Sequence, residues 1–160
     1  MARYVKISVI SQPTIKLPES SDPEKQVQQM WNYIRGHIDQ VLPDKPDLIV
    51  LPEACDRFLG MNYEERKAYY RYRGNRIRDM LGDLARKHKC YIAYSATRYI
   101  PEEEHSGLPF RNSTQIIDRS GNVVGIYDKN HIMPQELELA DVAYGTQANS
   151  NSWGMIWFLS

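Results

Sequence analysis

The sequence predicts an α/β fold in which helices cover a sheet, and three observations lead to this prediction. Short apolar segments typical of strands alternate along the chain with amphipathic segments of helical period. The predicted order is strand, helix, strand, helix, strand, hairpin and final strand, with no internal repeat and no domain linker. The 160 residues, of which 42% are hydrophobic, are enough for one globular domain with its own core.

The first predicted strand and helix lie before Pro43. Residues 4–10 alternate and are rich in β-branched side chains, as is typical of a strand. A helix start follows, where we expect Ser21 to cap the helix, Glu24 to complete a capping box, and Pro23 to suit the first turn. Apolar residues with core packing as their expected role then recur at helical spacing: Val27, Met30, Trp31, Ile34, Ile38 and Val41.

The later elements are predicted from apolar runs and turn signals. Residues 48–51 form a continuous apolar run, which favours a strand covered on both faces. After this strand, the predicted elements are a helix over about 75–88, a strand over 90–100, a hairpin of strands 111–118 and 123–128, and a final strand over 153–159.

Composition excludes several classes of function. The 20 basic and 20 acidic residues leave no net charge to steer the whole chain toward nucleic acid or a membrane. The two cysteines, Cys55 and Cys90, do not make a disulfide framework, which favours a reducing, cytoplasmic location. The N-terminus lacks the pattern of a signal peptide, and no apolar run approaches the ~20 residues that span a bilayer. The four histidines lack ligand spacing, so no metal site is expected.

Charged residues follow two of the predicted strands. Glu53 comes after the buried strand, at the edge where α/β sheets build their sites. Two interpretations stay open for it, a partly exposed loop residue or a desolvated general base. Lys129 follows the second strand of the hairpin, where a lysine is usually solvated, and Glu136 and Glu138 lie just beyond it.

The segments around these residues together resemble the nitrilase superfamily, the carbon–nitrogen hydrolases. Residues 46–53, Pro-Asp-Leu-Ile-Val-Leu-Pro-Glu, resemble its glutamate motif, and residues 111–131 resemble the hairpin that leads into its lysine motif. The resemblance extends over essentially the whole chain. It implies part of an α-β-β-α sandwich with helices on the outer faces, and a single incomplete domain over residues 1–160.

The resemblance also implies a chemistry. The superfamily hydrolyses amides, N-carbamoyl groups or nitriles through a Cys–Glu–Lys triad, without a metal or another cofactor. By alignment Glu53 matches the general base and Lys129 the lysine, while Glu136 is chosen as the second glutamate, with Glu138 as the nearby alternative. The implied partners are a small-molecule substrate and further copies of the chain, with no membrane. We also expect Glu53, Lys129 and Glu136 to converge in space.

The nucleophile is where this sequence departs from the family pattern. Residues 153–160 resemble the strand that precedes the family's cysteine, and the sequence ends where that cysteine would follow. A chain truncated in this way is expected to be inactive as given. Cys55 and Cys90 are poor substitutes, because neither has a clear base and an electropositive setting.

A second function stays open on the sequence. Residues 66–89 contain nine Lys or Arg residues and three tyrosines, a composition that a single-stranded nucleic-acid surface requires. The simpler interpretation is a solvated amphipathic helix preceded by an insertion that lies at the rim of a pocket or at a subunit contact, and the balanced charge of the chain favours it.

Overall fold

The computed structural model describes residues 4–11, 15–18, 21–134 and 136. Three α-helices and five strands follow one another in this part of the chain. They are β1 (Ile7–Val9), α1 (Pro23–Val41), β2 (Leu48–Val50), α2 (Tyr63–Arg73), α3 (Arg76–His88), β3 (Tyr91–Tyr99), β4 (Phe110–Ile117) and β5 (Val123–Asp128). The final strand predicted over 153–159 lies outside the described residues.

The five strands form one mixed sheet in the order β1-β2-β3-β4-β5. Strands β1, β2 and β3 are parallel, with Ile49 paired to Ser8 on one side and to Ile92 on the other. Strands β3, β4 and β5 are antiparallel, and β4 and β5 form the predicted hairpin. The α/β fold class is therefore confirmed.

Helix α1 begins with the predicted proline but with a different cap. The side chain of Asp22, not that of Ser21, accepts the hydrogen bond from the backbone N–H of Glu24 (3.0 Å), so the predicted cap was wrong by one residue. A carboxylate at this position also lies favourably against the positive end of the helix dipole. The predicted stripe is largely confirmed, because four of its members are buried: Val27, Met30, Ile34 and Ile38.

Helix α2 was not predicted from the sequence. It begins in a reciprocal capping box: Asn62 accepts from the N–H of Glu65 (3.0 Å), and the Glu65 carboxylate accepts from the N–H of Asn62 (2.9 Å). Gly74, at φ +48°, ends it. The helix buries Tyr69 and Tyr70, so part of the basic, tyrosine-rich segment belongs to the core.

Among the residues that the structure describes, no element covers one face of the sheet along β1 and β2. Ile7 and Val9 are 56% and 72% exposed, and they pair with Leu48 and Val50, which are only half-buried. The prediction that β2 is covered on both faces is therefore wrong for the described part of the chain.

None of the helices in the described part of the chain is long and apolar enough to span a membrane.

Candidate active site

Glu53 is placed by a tight turn that follows β2. The backbone N–H of Leu51 still pairs with the carbonyl of Ala93 (3.0 Å), and Pro52 then ends the ladder, since it has no N–H to donate. Ala54 adopts a positive φ of 50°, and the N–H of Cys55 rejoins β3 at the carbonyl of Ser95 (3.1 Å). The chain thus turns over the end of the sheet, and Glu53 lies on the turn with its side chain 62% exposed.

A buried ion pair anchors this turn from below. Asp56 is 0% exposed and Arg73, from the last turn of α2, is 1% exposed, and their side chains form a salt bridge. The Tyr94 hydroxyl donates to the same Asp56 oxygen (2.6 Å), and Arg73 also donates to the carbonyl of Thr97. Burial by itself lowers the pKa of Arg73, but the charge of Asp56, the hydrogen bond to it and the nearby Tyr94 and Tyr69 together raise that pKa, so the guanidinium stays charged.

Lys129 reaches Glu53 from the end of β5. It directly follows β5, and its N–H continues the β4–β5 ladder by donating to the carbonyl of Asn112 (2.8 Å). Its ammonium Nζ lies 3.0 Å from Glu53 Oε1 and 3.0 Å from Glu136 Oε2. The structure therefore brings the three sequence-predicted side chains together, whereas Glu138 lies outside the described residues.

The two carboxylates differ in how fully they are hydrogen-bonded. Glu136 accepts from Lys129 on both oxygens (3.2 and 3.0 Å), from Asn112 on Oε1 (2.9 Å) and from the Met133 N–H on Oε2 (2.9 Å). Glu53 accepts from Lys129 and Asn112 on Oε1 alone (3.0 and 2.7 Å). Among the described residues, no donor engages Glu53 Oε2, which leaves this oxygen open to a reacting group.

The electrostatics of the cluster keep the lysine charged. Burial lowers the pKa of Lys129, but its hydrogen bonds to Glu136 and Glu53 and the negative charges of these carboxylates together outweigh this effect, and the pKa is raised. Burial likewise raises the pKa of Glu136, whereas the Met133 N–H, Lys129 and Asn112 lower it, with a net decrease. The lysine–Glu136 pair is thus ionised at neutral pH.

Neither cysteine of the chain is suited to act as a nucleophile. Cys55 is buried, and burial together with the neighbouring Asp56 charge raises the pKa of its thiol well above the ordinary value. Cys90 is also buried, and burial raises its thiol pKa. Both thiols are therefore held in the neutral, unreactive form.

No group of three or more His, Cys, Asp or Glu side chains within the described ranges is arranged to hold a metal ion.

The basic segment 66–89 does not form a surface of free cations. Five of its nine Lys and Arg residues contact a carboxylate, and two of its three tyrosines are buried. Arg71, for example, forms a bidentate pair with Glu104, which holds the 3₁₀ helix Pro101–Ser106 against α2. These contacts do not favour the nucleic-acid interpretation.

Sequence reasoning missed three residues around the site. Asn112 lies within the hairpin motif but was not assigned a role, and Asp56 and Arg73 were not paired, since 17 residues separate them. Because Asp56 lies only three residues after Glu53, the sequence could have placed it in the same turn after the strand. No comparable signal identifies Arg73 as its partner.

Comparison with known proteins identifies the family. The model of the carbon–nitrogen hydrolase family matches residues 7–154, and comparison with curated protein sequences gives no significant match. The NitN amidase from Nesterenkonia sp. AN1 superposes with a TM-score of 0.66 at 17% identity, over 90% of this chain and 51% of that chain.

Two further solved structures share the fold. The NitFhit protein of C. elegans has a TM-score of 0.62 at 23% identity, over 89% of this chain and 33% of that chain. A carbon–nitrogen hydrolase from Helicobacter pylori G27 has a TM-score of 0.62 at 18% identity, over 89% of this chain and 45% of that chain. This chain thus spans about half, or less, of the length of these structures. Because the family model matches nearly the whole sequence and the sheet has the same fold, the chain belongs to the carbon–nitrogen hydrolase family.

Proposed function

We propose that this chain carries the acid–base part of a site that hydrolyses small amides or N-carbamoyl amides. Glu53 is the general base, Lys129 stabilises the oxyanion, and Glu136 holds Lys129 in place. The observation that carries the proposal is that Lys129 contacts both carboxylates while Glu53 keeps one oxygen unengaged by the described residues.

The structural neighbours support amides as the substrate class. One is a variant of the Nesterenkonia amidase with the acetamide moiety of fluoroacetamide added covalently at its active-site cysteine. Another is an N-terminal amidase in complex with a Gln-Gly peptide. Both neighbours are amidases, and a carboxylate beside an ammonium suits amide hydrolysis here.

The first half of the reaction needs a thiol next to Glu53. The carboxylate takes the thiol proton on Oε2, and the thiolate attacks the amide carbon to give a tetrahedral oxyanion. The Lys129 ammonium stabilises this negative charge, and its partly buried position strengthens the interaction relative to water. Glu53 then returns the proton to the departing nitrogen, which leaves an acyl thioester.

The second half of the reaction uses the same carboxylate again. Glu53 takes a proton from water as the water attacks the thioester, and the thiol leaves with that proton. Glu136 does not exchange protons in this scheme, because its oxygens are engaged by Lys129, Asn112 and Met133. Since Cys55 and Cys90 are both buried and neutral, we expect the 160-residue polypeptide alone to be inactive.

The test compares two proteins, the complete product of the gene and the 160-residue polypeptide, on a panel of small amides and N-carbamoyl amides. We expect turnover only from a product that adds a thiol at the site, and we expect Glu53→Gln and Lys129→Met to abolish it. Loss of one member of a cooperating catalytic set typically removes nearly all of the rate.

Glu64→Gln is the matched control, because Glu64 is also an exposed glutamate paired with a lysine, Lys67, but it lies on α2. Its turnover should equal that of the unmodified protein. Turnover that survives Glu53→Gln would contradict the role of Glu53. Turnover by the 160-residue polypeptide would contradict the expected inactivity, and a Cys55→Ser variant would then show whether that thiol is the nucleophile.

A further inference from the structure

Asn112 touches every member of the site cluster. Its side-chain amide Nδ2 donates to Glu53 Oε1 (2.7 Å) and to Glu136 Oε1 (2.9 Å). Its backbone carbonyl accepts the N–H of Lys129 (2.8 Å). One residue of β4 therefore contacts a turn after β2, the residue after β5, and a residue seven positions further along the chain.

The position of Asn112 in the sheet is well defined. It lies on β4 opposite Thr97 of β3, within an antiparallel pairing of eight residue pairs. The carbonyl of Thr97 is held by the buried Arg73, whose partner Asp56 anchors the turn that carries Glu53. The side chain of Asn112 thus projects from a rigid part of the sheet, as a residue that positions others should.

An amide suits this place better than the other polar side chains. The two carboxylates repel each other, and a second ammonium in addition to Lys129 would neutralise the remaining negative charge of the cluster, which Glu53 needs to act as a base. The NH₂ group of asparagine donates two hydrogen bonds without carrying a charge, so it can bind one oxygen of each carboxylate. A hydroxyl has only one hydrogen to donate, and an aspartate has none when ionised.

We infer that Asn112 is a positioning residue that holds Glu53 and Glu136 on either side of Lys129 and directs Oε2 of Glu53, which none of the described residues engages, toward the reacting group. In the described part of the chain, Asn112 and Lys129 both bind Oε1 of Glu53, and this leaves Oε2 as the oxygen that can act as the base. The catalytic meaning of this inference rests on the proposed function, but the contacts themselves can be tested without any turnover.

The test replaces Asn112 in the 160-residue chain and follows the carboxyl groups by NMR. In Asn112→Leu the side chain keeps a similar size and loses the amide. Because the ionised Glu136 then loses one donor, its pKa should rise, and the ¹³C titration midpoint should move to higher pH. Among the residues that the structure describes, the charged groups of the cluster around Glu136 are Lys129 and Glu53, and neither is altered by the substitution. A Glu136→Gln variant assigns the resonance.

Thr114→Val is the matched control. Thr114 lies two residues further along β4, and its hydroxyl pairs across strands with that of Ser95 (2.6 Å). This substitution removes a side-chain hydrogen bond from the same strand without touching the cluster, so the Glu136 midpoint should not move. Asn112→Ser serves as a second variant that removes the amide if the leucine variant does not fold.

A folded Asn112 variant whose Glu136 midpoint is unchanged would overturn the inference. In a gene product that hydrolyses amides, Asn112→Leu should lower kcat about 10–100-fold, the size of effect that small misplacements of reacting groups produce, with KM changed less than kcat. A shifted midpoint with unchanged kcat would also overturn the positioning role. Failure of the proposed function looks different, because turnover would then be indifferent to Glu53→Gln while the Glu136 shift persists.

Discussion

The buried pair of Asp56 and Arg73 offers the sharpest stability test of this structure. Both side chains are removed from water, and they join the turn of the site to helix α2. Asp56→Asn keeps the shape of the side chain and removes its charge. Arg73 then remains in the core as a cation with no counter-charge among the described residues, because its other hydrogen-bond partners there, Tyr94 and the carbonyl of Thr97, are neutral.

The size of the effect follows from burial. Removing one partner of a buried ion pair costs about 3–5 kcal/mol in the free energy of unfolding, a large share of the roughly 5–15 kcal/mol that stabilises a domain. Tyr94→Phe removes only the hydroxyl that donates to Asp56, and a hydrogen bond to a charged group contributes about 1.5–3 kcal/mol. We therefore expect Asp56→Asn to be the more damaging of the two substitutions.

A double variant separates the charge from the packing. In the described part of the chain, Asp56 Oδ1 and Arg73 Nε have no hydrogen-bond partner, so the pair is incompletely satisfied. Asp56→Leu combined with Arg73→Met should then cost less than Asp56→Asn alone, since apolar replacement of buried pairs is often neutral or stabilising.

Urea unfolding followed by circular dichroism measures all of these variants. The midpoint should shift while the slope with denaturant stays constant, which shows that stability and not compactness has changed. A loss of less than about 1 kcal/mol for Asp56→Asn would refute the reasoning, because surface ion pairs already reach that value. A double variant less stable than the single one would refute the charge argument in particular.

Three further predictions concern packing, pH and association. In Gly82→Ala the new Cβ would lie 2.8 Å from the carbonyl oxygen of Gly121, so the free energy of unfolding should fall by about 1–3 kcal/mol. Gly36→Ala, on the exposed face of α1 with no atom near the new Cβ, should raise it by about 0.5–1 kcal/mol. Equal effects of the two substitutions in thermal unfolding would contradict the close contact at Gly82. The fold lowers the pKa of Glu136 below its ordinary 4.5, so the ionised side chain stabilises the fold above that pH, and this contribution is lost as the pH falls through the folded-state pKa. The difference in stability between the unmodified chain and Glu136→Gln should therefore shrink between about pH 5 and pH 3. A difference that does not depend on pH would count against the ion pair. The 160-residue polypeptide should self-associate through the exposed apolar side chains of β1, and Val9→Lys should reduce that association in sedimentation velocity. If the unsubstituted polypeptide is a monomer at high concentration, this expectation is wrong.

The fold elements that the sequence predicted were those with strong local signals. The hairpin of β4 and β5 was predicted because turn residues separate two strand-like runs, and α1 was predicted from its apolar stripe. Helix α2 was missed because its composition is dominated by charged residues and tyrosines, although its capping box was present in the sequence. The burial of β2 was overestimated because an apolar run does not reveal whether the rest of the chain covers both of its faces.

The sequence by itself determined the α/β class and the family, and it marked Glu53 and Lys129 as candidate site residues, because motif residues at fixed spacing carry that information locally. It left Glu136 and Glu138 as alternatives for the second glutamate. Only the tertiary structure decided which Glu53 oxygen Lys129 and Asn112 share, that Asn112 binds both carboxylates, and that Arg73 is buried against Asp56. These contacts join residues 17 to 76 positions apart, and they depend on strand register and on how α2 packs beneath the turn. Local pattern specifies elements, whereas the partners of a charged side chain are specified by the packing of elements that are distant in sequence.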